Sequence, residues 1–186
     1  MTRLLFVFML IIFLTGSQGG TAYYYTNTAK IDFNSDAPQE LISASSNSMR
    51  GLIDIEKKTF VYKVLIRTFS GFNSALQKEH FNEKFLESEK YPEAIFTGKI
   101  IEDIDFNTPG TYTIRAKGKL NIHGVEQERI IKTELIIKGG EIMFSSKFTI
   151  LLADFNIKVP KVVHEKIALE ISVEVEGVLK KKILQE

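Results

Sequence analysis

The chain has 186 residues and contains no cysteine, no tryptophan and only three histidines. Without cysteine, disulfides, thiolate metal ligands and a cysteine nucleophile are excluded, and so is a lipid anchor attached to a cysteine after an export leader. The chain also lacks a Gly-x-Ser-x-Gly elbow, a phosphate-binding loop and a dinucleotide-binding motif. These absences weigh against an enzyme, and no catalytic residue, metal ligand or cofactor is predicted.

The three histidines lie far apart along the chain and lack the His-x-x-x-His spacing of helical zinc sites. We interpret His80 as a residue of a helix start, His123 as a turn residue and His164 as a residue of a surface loop. A hydrolase or metal enzyme built on these side chains stays an alternative. It requires the three imidazoles to converge within about 5 Å of one another or of a buried carboxylate.

The chain also lacks an excess of charge of either sign. The 24 Lys and Arg side chains are balanced by 23 Asp and Glu, which leaves a formal net charge of +1. Such a balance provides no basic surface for nucleic acid, so that class of partner is excluded. With 44% hydrophobic and 25% charged residues, the composition is that of a folded domain rather than a disordered chain.

The N-terminus has the pattern of a secretory signal peptide. Arg3 precedes eleven consecutive apolar residues, 4–14, and small residues follow up to Ala22. The apolar run is too short for a bilayer core, which needs roughly 20 residues. We expect cleavage after Ala22, a single domain over residues 23–186 without a transmembrane segment, and a periplasmic or secreted location. Because the leader contains one Arg and no acid, the mature chain has 23 basic and 23 acidic residues.

Apolar and polar residues alternate along most of the remaining chain, which predicts β-strands. The alternation is clearest over residues 111–122. Further strands are predicted at residues 29–36, 41–55, 60–67, 94–101, 128–138, 142–150 and 167–176. Turn sequences are found at residues 107–110, 122–125 and 138–141. The sequence therefore predicts an all-β, antiparallel barrel of about eight strands, a size that can hold one small ligand.

Residues 74–91 have helical spacing, and Pro92 follows, so a short inserted helix is predicted around residues 76–88. Glutamates recurring every four residues in this segment are interpreted as a solvated face. Aromatic residues surround the insertion, and they either plug one end of the barrel or line the mouth of a lipid pocket. Small residues on the inward strand faces, including Ala116 and Gly118, favour the pocket because they leave volume.

Several segments resemble the YceI-like family. In order, they are Ala37-Pro38, Gly51-Leu52-Ile53-Asp54, Phe69-Ser70-Gly71-Phe72, residues 80–88 (HFNEKFLES), Tyr91-Pro92-Glu93-Ala94, Phe96-Thr97-Gly98, residues 118–125 (GKLNIHGV) and Asp154-Phe155-Asn156-Ile157 with Pro160. The resemblance covers about residues 30–177. The chain departs from the family pattern at residues 30–35 (KIDFNS), where many members have "H-S-x-V-x-F", and at Asn156, where a Gly is common. The resemblance implies a lipocalin-like barrel exported to the bacterial periplasm, with an apolar cavity for polyisoprenoid or similar amphiphilic chains and no catalytic machinery.

Candidate ligand-binding residues follow from position beside the insertion or on an inward strand face. For a headgroup these are Arg67, His80, Asn82 and Lys84. Along the cavity they are Phe69, Phe72, Phe81, Phe85, Phe96, Ala116 and Gly118. The predicted function is burial of one elongated apolar ligand, with each CH₂ contributing roughly 0.8 kcal/mol. A structural or stress-response barrel with a filled interior is the main alternative, and a homodimer is one open assembly state.

Overall fold

The structure, a computed structural model, describes residues 22–183. The predicted leader, residues 1–22, lies outside this range except for Ala22, which is the first residue of the first strand. The leader, its cleavage and the exported location therefore stay predictions. Among residues 22–183, no helix has the length and hydropathy of a membrane-spanning segment.

Eight antiparallel strands form a closed barrel in chain order, with the last strand paired to the first. They are β1 (Ala22–Asp36), β2 (Leu41–Asp54), β3 (Thr59–Leu65), β4 (Glu93–Ile100), β5 (Gly110–Ile122), β6 (Val125–Lys138), β7 (Glu141–Leu151) and β8 (Glu170–Ile183). Apolar residues alternate with polar ones in most strands, so one face of the sheet fills the interior and the other faces water. The predicted all-β barrel is confirmed.

The two ends of the barrel carry different connections. One end, called here the loop end, carries residues 37–40, 66–92, 123–124 and 152–169; the other, the turn end, carries residues 55–58, 101–109 and 139–140. Tyr24 and Phe106, whose ring centroids are 6.4 Å apart, are both buried beneath the turn end. The turn end is therefore closed by packed side chains, and the two longest connections, 66–92 and 152–169, lie at the opposite end.

Two of the predicted turns are tight hairpins. His123 and Gly124 have φ values of 52° and 74°, and Gly139 and Gly140 have values of 62° and 80°. Two consecutive residues with positive φ are typical of the turn type that matches the twist of antiparallel strands. The predicted turns at residues 122–125 and 138–141 are therefore confirmed.

The inserted helix consists of α1 (Ala75–His80) followed directly by a π-helical turn, Phe81–Phe85. The Ser74 hydroxyl accepts a hydrogen bond from the Gln77 N–H at 3.1 Å and caps the first turn. The prediction placed the end of the helix at about residue 88. The helical segment ends earlier, because Glu87 adopts a positive φ of 44°. Short 3₁₀ turns occupy Ile66–Thr68, Leu152–Phe155 and Lys161–Val163.

Several strand boundaries differ from the predictions by two residues or more; among them, β6 begins at Val125 rather than residue 128 and β8 ends at Ile183 rather than residue 176. β1 begins at Ala22 rather than residue 29, β3 ends at Leu65 rather than residue 67, and β8 begins at Glu170 rather than residue 167. The early part of β1 was missed because a bulge between Thr26 and Ala29 interrupts its pairing with β2. The buried positions change there from even to odd numbers, so the alternation is broken although the strand continues.

Candidate functional site

An apolar cavity of about 310 Å³, called here the outer chamber, lies inside the barrel beneath the loop end. Its walls come from every strand except β6, and its roof comes from the helical segment and the connections 66–72 and 152–169. Predicted residues that line it are Phe69, Phe72, His80, Phe81 and Phe85. A cavity of this volume falls at the lower end of the range for small-molecule sites, about 300–1,000 Å³.

Four phenylalanines hold the roof of the outer chamber on the barrel. Phe33 of β1 stacks on Phe81 of the π-helical turn, with ring centroids 5.3 Å apart and planes 15° apart. Phe69 and Phe72 contact both of these rings at centroid distances of 5.0–6.0 Å. Aromatic pairs of this kind each contribute about 0.5–1.5 kcal/mol beyond area burial. The same rings therefore fix the helical segment in place and form chamber wall.

A second cavity of about 110 Å³, the inner chamber, lies deeper in the barrel. Phe96 and Ala116, two of the predicted cavity residues, line it together with Met49, Phe60 and Leu135. Five residues line both chambers: Ile31, Val64, Ala94, Leu120 and Phe148. The two chambers therefore adjoin, and both are lined mainly by apolar side chains.

Three residues with hydroxyl groups, Tyr62, Thr133 and Ser146, line the mostly apolar inner chamber, and Lys63 is also part of its wall. The Thr133 and Ser146 hydroxyls hydrogen bond to each other at 2.8 Å. Burial raises the pKa of the Tyr62 hydroxyl above the ordinary value of 10.0. Burial is the only cause of this shift.

Polar side chains at the edge of the outer chamber come from three separate connections. Gln77 donates a hydrogen bond from Nε2 to Glu40 Oε1 at 2.6 Å, and both side chains line the chamber. The backbone N–H of Gln39 donates to the Glu165 carbonyl at 2.8 Å, next to Lys166, which also lines the chamber. Sequence reasoning missed Glu40, Gln77 and Lys166. For Gln77 a signal existed, since it lies four residues before Phe81 on the same helical face.

Of the four residues predicted for a headgroup, only His80 lines the outer chamber. Arg67 is exposed and pairs with Glu89 at 3.0 Å. Asn82 donates from Nδ2 to the Lys78 carbonyl at 2.8 Å, and exposed Lys84 places Nζ 3.1 Å from His80 Nε2. The structure therefore locates Arg67, Asn82 and Lys84 beside the roof rather than in the chamber wall.

Gly118 does not line either chamber. It is paired with Gly98 across β4 and β5, and a Cβ atom at either residue would overlap the backbone of the neighbouring strand. In the structure Gly98 and Gly118 have a steric role and are not part of a chamber wall. They permit two strands to approach closely.

The three histidines have separate partners. His123 places Nε2 2.6 Å from Glu87 Oε2 and Nδ1 3.1 Å from the Phe155 carbonyl, which joins the end of the helical segment to the turn at Leu152–Phe155. His164 Nε2 lies 2.9 Å from the Val159 carbonyl. Within residues 22–183, no group of three or more His, Asp or Glu side chains could hold a metal ion. The convergence required by the histidine-based alternative is not observed.

The YceI-like domain family matches residues 25–175. The chain belongs to this family. Among solved structures, a polyisoprenoid-binding domain from Saccharophagus degradans, implicated in plant cell wall breakdown, is 13% identical with a TM-score of 0.73, covering 87% of this chain and 99% of that one. Burkholderia cenocepacia BcnA is 14% identical with a TM-score of 0.67, covering 81% and 95%. The Campylobacter jejuni YceI protein is 18% identical with a TM-score of 0.52, covering all of both chains. No curated protein matches the chain.

The two places where the sequence departs from the YceI-like pattern both border the outer chamber. In the segment 30–35, Ile31, Phe33 and Ser35 contribute chamber wall. Asn156 has a φ of 56° and a ψ of 22°, a left-handed conformation that favours glycine and that asparagine tolerates better than most residues. Asn156 therefore preserves the backbone geometry that a glycine would provide before Ile157, another wall residue.

Proposed function

We propose that this YceI-like protein binds a single elongated apolar lipid, of the polyisoprenoid type, inside its barrel. The observation that carries the proposal is the pair of adjoining chambers, which share five apolar wall residues. The same fold in the S. degradans polyisoprenoid-binding domain supports this ligand class. The lipid chain would enter at the loop end, since packed side chains close the turn end.

Burial of the chain would supply the affinity. Each CH₂ group moved from water into an apolar chamber contributes roughly 0.8 kcal/mol, so a few buried isoprene units bind firmly without a polar contact. The polar end of the lipid would stay at the edge of the outer chamber, near Glu40, Gln77, His80 and Lys166. These side chains offer both donors and acceptors, which suits an uncharged or phosphorylated headgroup.

We also propose that residues 1–22 export the protein to the periplasm or the medium. The expected mature product begins at Tyr23. Mass spectrometry of the protein recovered from the periplasmic and cytoplasmic fractions of expressing cells tests this step. Full-length protein confined to the cytoplasm would contradict it.

Extraction of lipids from the purified protein is the direct test of the ligand. Gentle purification followed by organic extraction and mass spectrometry should yield one class of prenyl lipid in about equimolar amount. An unrelated protein purified from the same cells serves as the control for adsorbed lipid. Folded protein that carries no lipid in repeated preparations, and that fails to take up an added polyprenol, would overturn the proposal.

The alternative of a structural or stress-response barrel requires a filled interior. Two chambers of about 310 and 110 Å³ weigh against it, because the side chains of native interiors pack with few voids larger than a water molecule. We propose no catalytic role. The homodimer stays a prediction, which sedimentation of the purified protein can test.

A further inference from the structure

Exposed apolar side chains are concentrated around the loop end of the barrel. Among the described residues, six of the seven most exposed large hydrophobic side chains lie there: Leu41, Leu65, Leu76, Leu151, Val162 and Leu169. Val162 is the extreme case, with 90% of its surface exposed. The seventh is Ile130, which lies on the outer wall in β6. We call the six residues at the loop end the apolar rim.

The apolar rim lies at the same end of the barrel as the outer chamber. Leu41, Leu76 and Val162 are each adjacent in sequence to a residue that lines the chamber, namely Glu40, Gln77 and Val163. The hydrogen bonds from Gln77 to Glu40 and from Gln39 to Glu165 hold these three connections side by side. The inner side of each connection therefore faces the chamber, while its neighbouring residue exposes an apolar side chain to the outside.

Basic side chains flank the most exposed part of the rim. Lys158, Lys161 and Lys166 are exposed, and none of them forms an ion pair with another described residue. The only acidic residue between positions 156 and 169 is Glu165. A fully exposed apolar side chain between unpaired lysines is the combination that anionic lipid surfaces bind, since the lysines contact headgroups while the apolar group enters the interface.

We propose that the loop end docks on an anionic phospholipid bilayer, with Val162 inserted at the level of the headgroups. Docking in this orientation places the end of the barrel that contains the outer chamber against the membrane, so that an apolar chain passes between bilayer and barrel without crossing water. The use of docking for lipid transfer rests on the proposed function. The docking itself depends only on the rim and its lysines.

The fluorescence of a tryptophan introduced at position 162 measures membrane contact directly, because the chain contains no other tryptophan. The variant Val162→Trp, stripped of lipid, is mixed with vesicles of phosphatidylcholine and phosphatidylglycerol. Its emission should shift to the blue and be quenched by brominated lipids, and vesicles of phosphatidylcholine alone should give a weaker response. The matched control is Ile130→Trp, on the exposed outer wall, whose emission should not change. An unchanged Val162→Trp spectrum, or equal responses from both variants, would overturn the proposal.

Matched triple variants test the charge contribution. Replacing Lys158, Lys161 and Lys166 with Gln should weaken co-sedimentation with anionic vesicles by roughly tenfold or more. The control replaces Lys138, Lys180 and Lys182 with Gln; these exposed lysines lie at the turn end. Equal losses of vesicle binding in the two triple variants would overturn the proposal. So would a blue shift of Val162→Trp that depends on protein concentration in the absence of vesicles, because it indicates pairing of two copies.

Lipid binding and docking are measured separately, so their failures are distinguishable. Docking is measured on lipid-free protein with ordinary phospholipids, whereas ligand binding is measured with a polyprenol in detergent. Docking without polyprenol binding would refute the proposed function and leave the membrane surface established. Polyprenol binding without docking would overturn this inference alone. Circular dichroism of every variant establishes that the barrel is folded.

Discussion

The ring of Tyr62 lies across the backbone of Gly51, its partner residue on the neighbouring strand β2. A Cβ atom at position 51 would overlap the Cδ1 and Cε1 atoms of this ring. Tyr62 also packs against Phe60 and Phe144, with ring centroids 6.1 and 5.4 Å apart, and its ring forms wall of the inner chamber. The absence of a side chain at Gly51 therefore sets the position of a chamber residue.

Replacing Gly51 with alanine should lower the free energy of unfolding by about 1–3 kcal/mol, because the ring must move within a packed interior. Urea denaturation of Gly51→Ala, Tyr62→Leu and the double variant measures the coupling. The double variant should be more stable than the sum of the two single effects predicts, since leucine leaves room for the new methyl group. Strictly additive effects would contradict the contact.

The paired glycines Gly98 and Gly118 should be intolerant of alanine. A Cβ atom at Gly98 would overlap the Lys117 carbonyl, and one at Gly118 would overlap the Thr97 carbonyl. Backbone atoms of a closed barrel have little freedom to move aside, so each substitution should cost about 2 kcal/mol or more in urea denaturation. The control is Gly139→Asn, whose neighbourhood is open and whose positive φ asparagine tolerates. If Gly118→Ala left the free energy of unfolding unchanged, the result would favour the interpretation that Gly118 provides cavity volume.

Strand type was predictable wherever alternation is uninterrupted. β5 follows one inward face from Tyr112 to Ile122, so its extent is clear from sequence. The bulge between Thr26 and Ala29 removes that signal from the first part of β1. Alternation also placed Gly118 on the inward face but contained no information about the distance between strands.

Only part of the candidate site was predictable, because only some of its residues lie close together in sequence. Phe69, Phe72, Phe81 and Phe85 were recognisable because they cluster in sequence around the insertion. Phe33, which stacks on Phe81, belongs to β1 and meets the insertion only after the barrel closes. Contacts between distant segments of this kind leave no local pattern, so Phe33, Glu40 and Lys166 were missed, whereas the spacing of Gln77 from Phe81 was a usable signal.

Asp54 at the end of β2 should make the barrel sensitive to acid. Its Oδ1 accepts hydrogen bonds from the N–H groups of Lys57 at 3.0 Å and Glu56 at 3.1 Å, and its carboxylate pairs with the Lys57 ammonium at 3.3 Å. The hydrogen bond from the Lys57 N–H is the main cause that holds the pKa of Asp54 below its ordinary value of 3.8. A lowered pKa in the folded state stabilises the fold above that ordinary value, and the contribution is lost as the pH falls below it.

The variant Asp54→Asn keeps an oxygen acceptor but has no charge to titrate. It should lose about 1 kcal/mol at neutral pH and should lose less further stability than the wild type when the pH is lowered through the acidic range. Urea denaturation at several pH values measures both effects. The matched control is Asp103→Asn, because the Asp103 side chain is 92% exposed and its pair with Lys58 should contribute little. Identical pH profiles for wild type and Asp54→Asn would contradict the prediction.

Ala94 lies where the two chambers adjoin, and its size should determine how far a lipid chain reaches. The variant Ala94→Leu narrows this junction and leaves most of the outer chamber unchanged. A short isoprenoid alcohol that fits the outer chamber should therefore bind with an unchanged dissociation constant, within about twofold. A long polyprenol should lose more than about tenfold in affinity, since two CH₂ groups excluded from the inner chamber already account for that loss.

Competition with a fluorescent lipid measures both affinities, and the control is Ala75→Leu, an exposed position at the start of α1. Thermal unfolding distinguishes a narrowed junction from a damaged fold, because overpacking alone lowers the stability of the barrel and weakens both ligands equally. A selective loss of the long chain requires the two chambers to act as one continuous site. Equal losses for both lengths at unchanged thermal stability, or no loss for the long chain, would confine the ligand to the outer chamber.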